Sequence, residues 1–254
     1  MNIVIPIKLV PDLVEELSID DSGAALDLAW SSLIISEFDD HAIEQGILLK
    51  ESGGGQVTVI APDVDGADDT LFTAAAKGAD RLIKLSGAFE TGVNNHALAC
   101  AFAAVVKLLQ PGLVLTGVQA HDDLDGSVGS LLAAYLGLPY VGYVSGVKVS
   151  DGQAIIRKEY PGGLLAEMAV ALPAVLGIQA ASQPPRYVAF SKVRQATQTA
   201  TVEEQEAVGL DSDGGLAIGR MYKPESGQRA TMLDGSPDDI AARLVGIFQE
   251  IGVV

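Results

Sequence analysis

Short apolar runs alternate along this chain with longer apolar or amphipathic stretches. The short runs predict five buried strands, at residues 3–9, 56–61, 79–85, 113–115 and 174–179. The longer stretches predict helices between them, at residues 37–51, 68–77, 95–109 and 130–138. This alternation predicts an α/β fold with a doubly wound, mostly parallel sheet, in which ligands bind at the C-terminal ends of the strands.

After Gly137 the pattern changes to strands without intervening helices. Residues 141–149, 154–160 and 164–172 predict strands joined by glycine-containing turns, so we expect a β-hairpin extension of the sheet. A smaller hairpin is predicted at residues 19–28.

The C-terminal part of the chain has a different composition. Apolar periodicity fades after Gln183 and returns only in an amphipathic helix at residues 237–251, for which Ser236 is the predicted cap. We therefore divide the chain into an α/β domain at 1–190, a loop and extended tail at 191–235, and a C-terminal helix at 236–254. The helix is expected to pack either on a partner subunit or on its own domain.

Composition narrows the possible functions. A net charge of −17 over 254 residues argues against nucleic-acid binding, which requires a positively charged surface. No apolar run is long enough to span a membrane, and the single cysteine fits a reducing cytoplasm or organelle matrix. The three scattered histidines predict no metal site, and no nucleophile–base motif predicts a catalytic residue.

The clearest candidate for a ligand site lies at residues 113–129. A short apolar strand ends at Gly117, an acidic loop follows, and a helix then begins. Such a junction offers free backbone N–H groups and the positive end of a helix dipole, both of which suit a phosphate. The loop carboxylates are expected to accept backbone N–H bonds or to face solvent.

Six segments together resemble the β-subunit of electron transfer flavoproteins. They are KLVPD at 8–12, FDDHAIEQGILLKE at 38–51, AAAKGADR at 74–81, GVQAHDD at 117–123 with Gly129, LPAVLGIQ at 172–179, and PPRY at 184–187. The resemblance covers nearly the whole chain, and the segments occur in the family's order and spacing.

The resemblance implies a function. In that family the β-subunit pairs with an α-subunit that holds most of the redox FAD. The heterodimer shuttles electrons from flavin-dependent dehydrogenases, such as an acyl-CoA dehydrogenase, to a quinone-reducing acceptor. The β-subunit has a Rossmann-like, adenine-nucleotide-binding fold with a tail and helix that embrace the partner. Its pocket holds a structural AMP in ordinary shuttles and a second FAD in electron-bifurcating relatives.

The same resemblance implies which residues bind the nucleotide and which contact a redox partner. The nucleotide pocket is assigned to Pro6, Ser36, Glu37, Phe38, Asp39, Pro62, Gly117, Gln119, Ala120, His121, Asp122, Asp123, Asp125, Gly126, Ser127, Val128 and Gly129. Partner docking is assigned to Lys192, Val193, Arg194 and Ala196.

The chain departs from the family pattern in ways that leave alternatives open. Ser127-Val128-Gly129 stands where the family usually has Gln-Thr-Gly, and this sequence is closer to that of the bifurcating relatives. Ser36-Glu37 stands where the family usually has Asn-Pro, and this departure counts against a bifurcating subunit. The leading hypothesis is a non-bifurcating carrier subunit, not itself an enzyme, that binds AMP. The alternatives are a bifurcating subunit that binds a second FAD and oxidises NADH, and a stand-alone adenine-nucleotide-binding protein of similar fold.

Overall fold

Strands and helices alternate through most of the computed structural model, which describes residues 1–29, 31–89, 93–124, 126–210, 215–224, 227 and 230–253. The strands are β1 (Asn2–Pro6), β2 (Leu9–Pro11), β3 (Ser18–Ile19), β4 (Leu26–Asp27), β5 (Leu33–Ile35), β6 (Gln56–Pro62), β7 (Arg81–Ser86), β8 (Leu113–Gly117), β9 (Tyr140–Ser150), β10 (Gln153–Tyr160), β11 (Leu164–Ala171), β12 (Ala174–Ile178) and β13 (Val202–Glu206). The helices are α1 (Glu37–Gly53), α2 (Ala67–Lys77), α3 (Asn95–Leu109), α4 (Val128–Leu136), α5 (Phe190–Thr199) and α6 (Pro237–Glu250).

The main sheet has nine strands in the order β11-β10-β9-β12-β8-β1-β6-β7-β13. All neighbours from β9 to β13 along this order pair in parallel, whereas β9, β10 and β11 form the antiparallel hairpin extension. The predicted doubly wound α/β fold and its hairpin extension are therefore confirmed. The chain order reverses at β1, between β6 and β8, and such a switch point leaves a crevice at the strand C-termini.

Hydrophobic cores lie on both faces of the sheet. Ile3 and Ile5 of β1 pack with α1 and α2 residues on one face, while Val4 packs with α3 and α4 residues on the other. Side chains of one strand point alternately to the two faces, so a strand that is apolar throughout can bury both. This arrangement places the starts of α1 and α4 at the same edge of the sheet as the C-termini of β1 and β8.

Two stretches differ from the predicted elements. The single strand expected at residues 3–9 is two strands, because β1 ends at Pro6 and β2 begins at Leu9. The stretch expected to be irregular after Gln183 contains α5 and the edge strand β13. Both elements are polar in sequence and form through contacts with α2 and β7. The small hairpin near residues 19–28 is confirmed as β3–β4.

The chain forms two compact units, Met1–Met221 and Tyr222–Val254. The second contains α6, whose predicted cap is confirmed: the Ser236 hydroxyl accepts the Asp239 N–H, and the Asp239 carboxylate accepts the Ser236 N–H. Leu244, Ile247 and Phe248 of α6 are each about two-fifths exposed. In the ranges that the structure describes, no helix has the length and apolarity needed to cross a membrane.

Candidate functional site

A buried carboxylate holds three elements together at the switch point. Asp39, in the first turn of α1, is 5% exposed. Its Oδ2 atom accepts the Lys8 N–H at 2.8 Å, and its Oδ1 atom accepts the Gly117 N–H at 2.6 Å. Burial raises the pKa of Asp39 to about 7, because these two hydrogen bonds and the nearby Lys8 charge offset only part of the desolvation. Asp39 thus fixes the relative positions of the β1–β2 connection, α1 and β8.

The Lys8 side chain ties the acidic loop to the rest of the site. Its Nζ atom lies 2.8 Å from Asp122 and 3.1 Å from Asp123, and it donates to the Asn95 Oδ1 atom at 2.9 Å. Asn95 in turn donates to Asp123 at 2.7 Å. Asp123 also accepts the Ala120 N–H at 2.8 Å, which confirms that this carboxylate braces the loop.

The N-terminus of α4 presents unpaired donors to this crevice. Ser127 is the N-cap residue but its side chain makes no capping bond. The first N–H groups of a helix have no acceptor within it, so those of the α4 first turn are available to an anion. Beneath them the Thr116 Oγ1 atom is buried, and within the described part of the chain it has no hydrogen-bond partner. An unpaired buried hydroxyl is costly, and a ligand oxygen would satisfy it.

Two glycines allow the close approach of the elements around these donors. A Cβ atom on Gly129 would lie 2.2 Å from the Thr116 Oγ1 atom. A Cβ atom on Gly117 would lie 2.8 Å from the Asp39 backbone nitrogen. Neither position has room for a side chain, so glycine is required at both by the packing of β8 against α4 and α1.

Two cavities lie at this edge of the sheet. The inner one, about 10 Å³, is lined by Pro6, Ile7, Lys8, Asp39, Phe102, Thr116, Gly117, Gln119, Ala120, Asp123 and Val128. The outer cleft, about 490 Å³, is lined by Val118, Gln119, Asp123, Leu124, Gly126, Ser127, Ser130, Tyr140, Gly142, Tyr143 and Lys158. Gln119 and Asp123 line both, and the outer volume is in the range of small-molecule sites.

Tyr140 forms the wall of the outer cleft nearest the sheet. Its hydroxyl packs beside Gly142 and Gly177, where added Cβ atoms would lie 2.9 and 2.5 Å from it. Burial raises the pKa of Tyr140, so the phenol is neutral at physiological pH.

The structure brings together most, but not all, of the predicted pocket residues. Of the described residues assigned to the pocket, those that line neither cavity are Ser36, Glu37, Phe38, Pro62, His121, Asp122 and Gly129. Asp122 and Gly129 still contact the site through Lys8 and Thr116, and Glu37 is exposed. Asp125 lies outside the described residues.

Several residues of the site were not predicted. In the sequence, Lys8 stands out only as part of the KLVPD segment, and Thr116 only as the residue between the predicted strand at 113–115 and Gly117. Asn95, Tyr140, Tyr143 and Lys158 come from elements distant in sequence and reach the site through the fold. Only Thr116 carried a local signal, since a polar side chain at the C-terminus of a buried strand faces the expected ligand edge.

The predicted docking residues lie on helix α5 rather than in a loop. Lys192 and Arg194 are exposed, whereas Ala196 is buried and α5 packs on α2. The large apolar side chains exposed here are Tyr187 and Phe190, at 91% and 78%. Val193 is half-buried, and docking through Lys192, Val193, Arg194 and Ala196 stays a prediction.

The segment leading to α5 is fixed to α1. The Arg186 guanidinium binds Glu44 at 2.8 Å and Glu51 at 2.6 Å, and the Arg186 N–H donates to Glu44. The Glu44 side chain is only 2% exposed, and its ion pair with Arg186 offsets the cost of burying a carboxylate. These two carboxylates raise the pKa of Arg186, which stays charged. These contacts hold Arg186, the residue before Tyr187, against α1.

The site as a whole can bind an anion but offers little for bond-making chemistry. Its donors are the backbone N–H groups at the start of α4 and the Thr116 hydroxyl, because the Ser127 hydroxyl donates to Ser130 and the Ser130 hydroxyl donates to the Ser127 carbonyl. Its carboxylates are engaged by Lys8, Asn95 and backbone N–H groups. Within the described ranges, no group of three or more histidine, cysteine or carboxylate side chains is placed to hold a metal ion. The part of the site that suits an anion is the set of backbone N–H groups at the start of α4.

Comparisons with known proteins agree with the sequence motifs. Residues 30–209 match the family described as electron transfer flavoprotein domain. The chain is 33% identical over 262 residues to electron transfer flavoprotein subunit beta of Methylophilus methylotrophus, covering 98% of each chain. It is 28% identical over 258 residues to that of Bradyrhizobium diazoefficiens, covering 100% of each. It is 33% identical over 197 residues to that of Syntrophomonas wolfei, covering 77% of this chain and 76% of the relative. With these matches over nearly its full length, the chain belongs to the electron transfer flavoprotein β-subunit family.

Proposed function

We propose that this chain is the β-subunit of a heterodimeric electron transfer flavoprotein and holds a structural AMP. The observation that carries the nucleotide assignment is the start of α4, where open N–H groups lie above the unpartnered Thr116 hydroxyl. Gly117 and Gly129 provide the space that lets β8, α1 and α4 meet there. The family assignment supports the electron-carrier role.

The chain's own residues act by binding and positioning. The first turn of α4 and Thr116 would hold the AMP phosphate, while Asp39 and the Lys8–Asp123–Asn95 cluster keep the surrounding loops in place. The FAD, held mainly by the α-subunit, supplies the redox chemistry. This chain completes the complex and presents Tyr187 and Phe190 to an electron donor such as a flavin-dependent dehydrogenase.

Co-expression with the cognate α-subunit tests the subunit assignment. A 1:1 complex that elutes as one species in size-exclusion chromatography, with flavin absorbance, is the expected result. The α-subunit expressed alone serves as the control and is expected to retain less FAD. A chain that remains monomeric and does not alter the flavin content of the α-subunit would contradict the assignment.

The Phe190→Ala variant tests the docking surface. We expect electron transfer from a reduced donor dehydrogenase to the complex to slow about 10-fold, since the loss of an exposed aromatic anchor commonly costs more than about 1 kcal/mol of binding. Stopped-flow reduction of the complex's flavin measures this rate. The control is Leu108→Ala, which removes a 79% exposed apolar side chain from α3 on the opposite face of the sheet. Equal rates in the two variants would place docking elsewhere.

A further inference from the structure

Helix α1 has a buried polar face whose residues line neither cavity. His41, Glu44 and Gln45 lie three and four positions apart, so their side chains share one side of the helix. Glu44 and Gln45 are 2% and 1% exposed, although the same helix buries Ile43 and Ile47 in the core. Buried polar side chains are costly unless they are paired. The groups that they bind therefore indicate what this face does.

This polar face binds the connection between β12 and α5. Residues 179–189 form neither helix nor strand, so regular backbone bonding does not fix their path. The Ala181 N–H donates to the His41 Nδ1 atom at 3.2 Å. The Ser182 N–H and hydroxyl both donate to the Gln45 Oε1 atom, at 2.9 and 3.0 Å. The first half of the connection is thereby held along α1 by directional hydrogen bonds.

Arg186 binds the second half of the connection to the same helix. Besides its guanidinium bonds to Glu44 and Glu51, its backbone N–H donates to the Glu44 Oε2 atom at 3.0 Å. Glu44 thus holds both the main chain and the side chain of Arg186. A guanidinium presents a planar fork of donors to carboxylates, which the ammonium group of a lysine does not reproduce. Tyr187 follows directly, and α5 begins at Phe190.

These contacts restrict the position of the connection more than they add stability. A buried ion pair gains little net free energy over apolar packing, because both charges must leave water. Its hydrogen bonds are specific, since a shift of the connection along α1 would leave the Glu44 carboxylate buried without its partners. The network therefore favours one placement of the main chain at Arg186. Tyr187 and Phe190, which are 91% and 78% exposed, are the side chains that follow from that placement.

We propose that Glu44 and Arg186 are positioning residues for the encounter with the electron donor, because they hold Tyr187 and Phe190 where the donor binds. This inference rests on the docking surface proposed above, which Tyr187 and Phe190 form, and it identifies the residues that place that surface. Glu44 is buried and acts only through Arg186. Its contribution to electron transfer therefore exists only while the two aromatic side chains are present.

The test is a cycle of variants in the co-expressed heterodimer, with an acyl-CoA dehydrogenase that reduces the wild-type complex as the probe. Initial rates give kcat/KM for the complex as electron acceptor. Glu44→Gln is expected to lower kcat/KM about 5-fold, as the loss of a docking contact does, while kcat at saturation stays within about twofold. In a Tyr187→Ala/Phe190→Ala background the same change is expected to lower kcat/KM by less than about twofold, since Glu44 then has nothing to position.

Lys50→Met is the matched control. Lys50 lies on the same helix and pairs with Asp80 at 2.5 Å, so its loss is expected to change kcat/KM by less than about twofold. Arg186→Lys keeps a charge beside Glu44 but lacks the planar fork, and it is expected to lower kcat/KM as Glu44→Gln does. Thermal unfolding and flavin content show that each heterodimer is intact, and Arg186→Lys supplies the result if Glu44→Gln does not fold.

The outcomes separate this inference from the docking surface. Wild-type kcat/KM in Glu44→Gln and Arg186→Lys would overturn the positioning role. An equal fall for Glu44→Gln in both backgrounds would also overturn it, since that is the effect of a general loss of structure. Either result leaves the docking surface in place. Wild-type kcat/KM in the Tyr187→Ala/Phe190→Ala variant would overturn the docking surface itself and this inference with it.

Discussion

The Asp39→Ala variant is expected to lose about 2–4 kcal/mol of the free energy of unfolding at pH 6. The substitution removes the acceptor of the Lys8 and Gly117 N–H groups, and each buried N–H without a partner costs about 1–3 kcal/mol. Denaturant unfolding of the purified chain measures the loss. Glu37→Ala, which removes an exposed carboxylate from the same helical turn, is the control and is expected to change stability by less than about 0.5 kcal/mol.

The pH dependence of this effect has a definite sign. The folded-state pKa of Asp39 is raised to about 7 from 3.8, so the folded state binds a proton that the unfolded state has released. The contribution of Asp39 to the free energy of unfolding is therefore complete below about pH 4 and is lost as the pH rises to about 7. The wild-type free energy of unfolding, relative to that of Asp39→Asn, should therefore fall across this window. A difference that is constant or rises with pH would contradict the account.

The Gly129→Ala variant is expected to weaken nucleotide binding by at least about 10-fold and to destabilise the chain by about 1–3 kcal/mol. The new methyl group would lie 2.2 Å from the Thr116 Oγ1 atom, so α4 must move away from β8. Thr116 is β-branched and buried, so it has little freedom to rotate away. Movement of α4 displaces the N–H groups proposed to meet the phosphate.

Titration of the nucleotide into the stripped complex measures this loss, and thermal unfolding measures the change in stability. Gly53→Ala is the matched control because Gly53 lies in a helix and nothing approaches its Cβ position within 4 Å. Wild-type nucleotide affinity in Gly129→Ala would show that the start of α4 is not part of the site.

The sheet was predictable because its strands carry continuous apolar runs. Residues such as Val57, Val59 and Ile60 are buried on one face or the other, and their order along the chain identifies β6 without knowledge of its neighbours. Helix α3 was predicted with the bounds that the structure has, because residues 95–109 are largely apolar and Pro111-Gly112 follows them. Local signals of this kind also located the start of α6 at Ser236.

The polar elements α5 and β13 could not be predicted in the same way. β13 reads VEEQE and forms through parallel pairing with β7, with Glu203 bound to Arg81 at 2.6 Å. Its stability therefore comes from residues about 120 positions earlier in the chain, which the local pattern does not contain. Tertiary contacts override local preference in such a strand.

The candidate site was predictable as a location but not as a set of contacts. The strand–loop–helix order at residues 113–129 indicates the place that we propose for a phosphate, although the loop is acidic. The role of Lys8 depends on its meeting Asp123, which is 115 residues away, and Asn95, which is 87 residues away. The acidic loop next to a proposed phosphate site is explained only by those contacts.

The most direct test of the account is to release and count the nucleotides bound to the co-expressed heterodimer. The purified complex is denatured, and FAD and adenine nucleotides are separated and quantified against protein. The account predicts one FAD and one adenine mononucleotide per heterodimer. Two FAD molecules would favour the bifurcating alternative and contradict a bound mononucleotide. One FAD with no second nucleotide would contradict the site proposed at Thr116, Gly117 and Gly129.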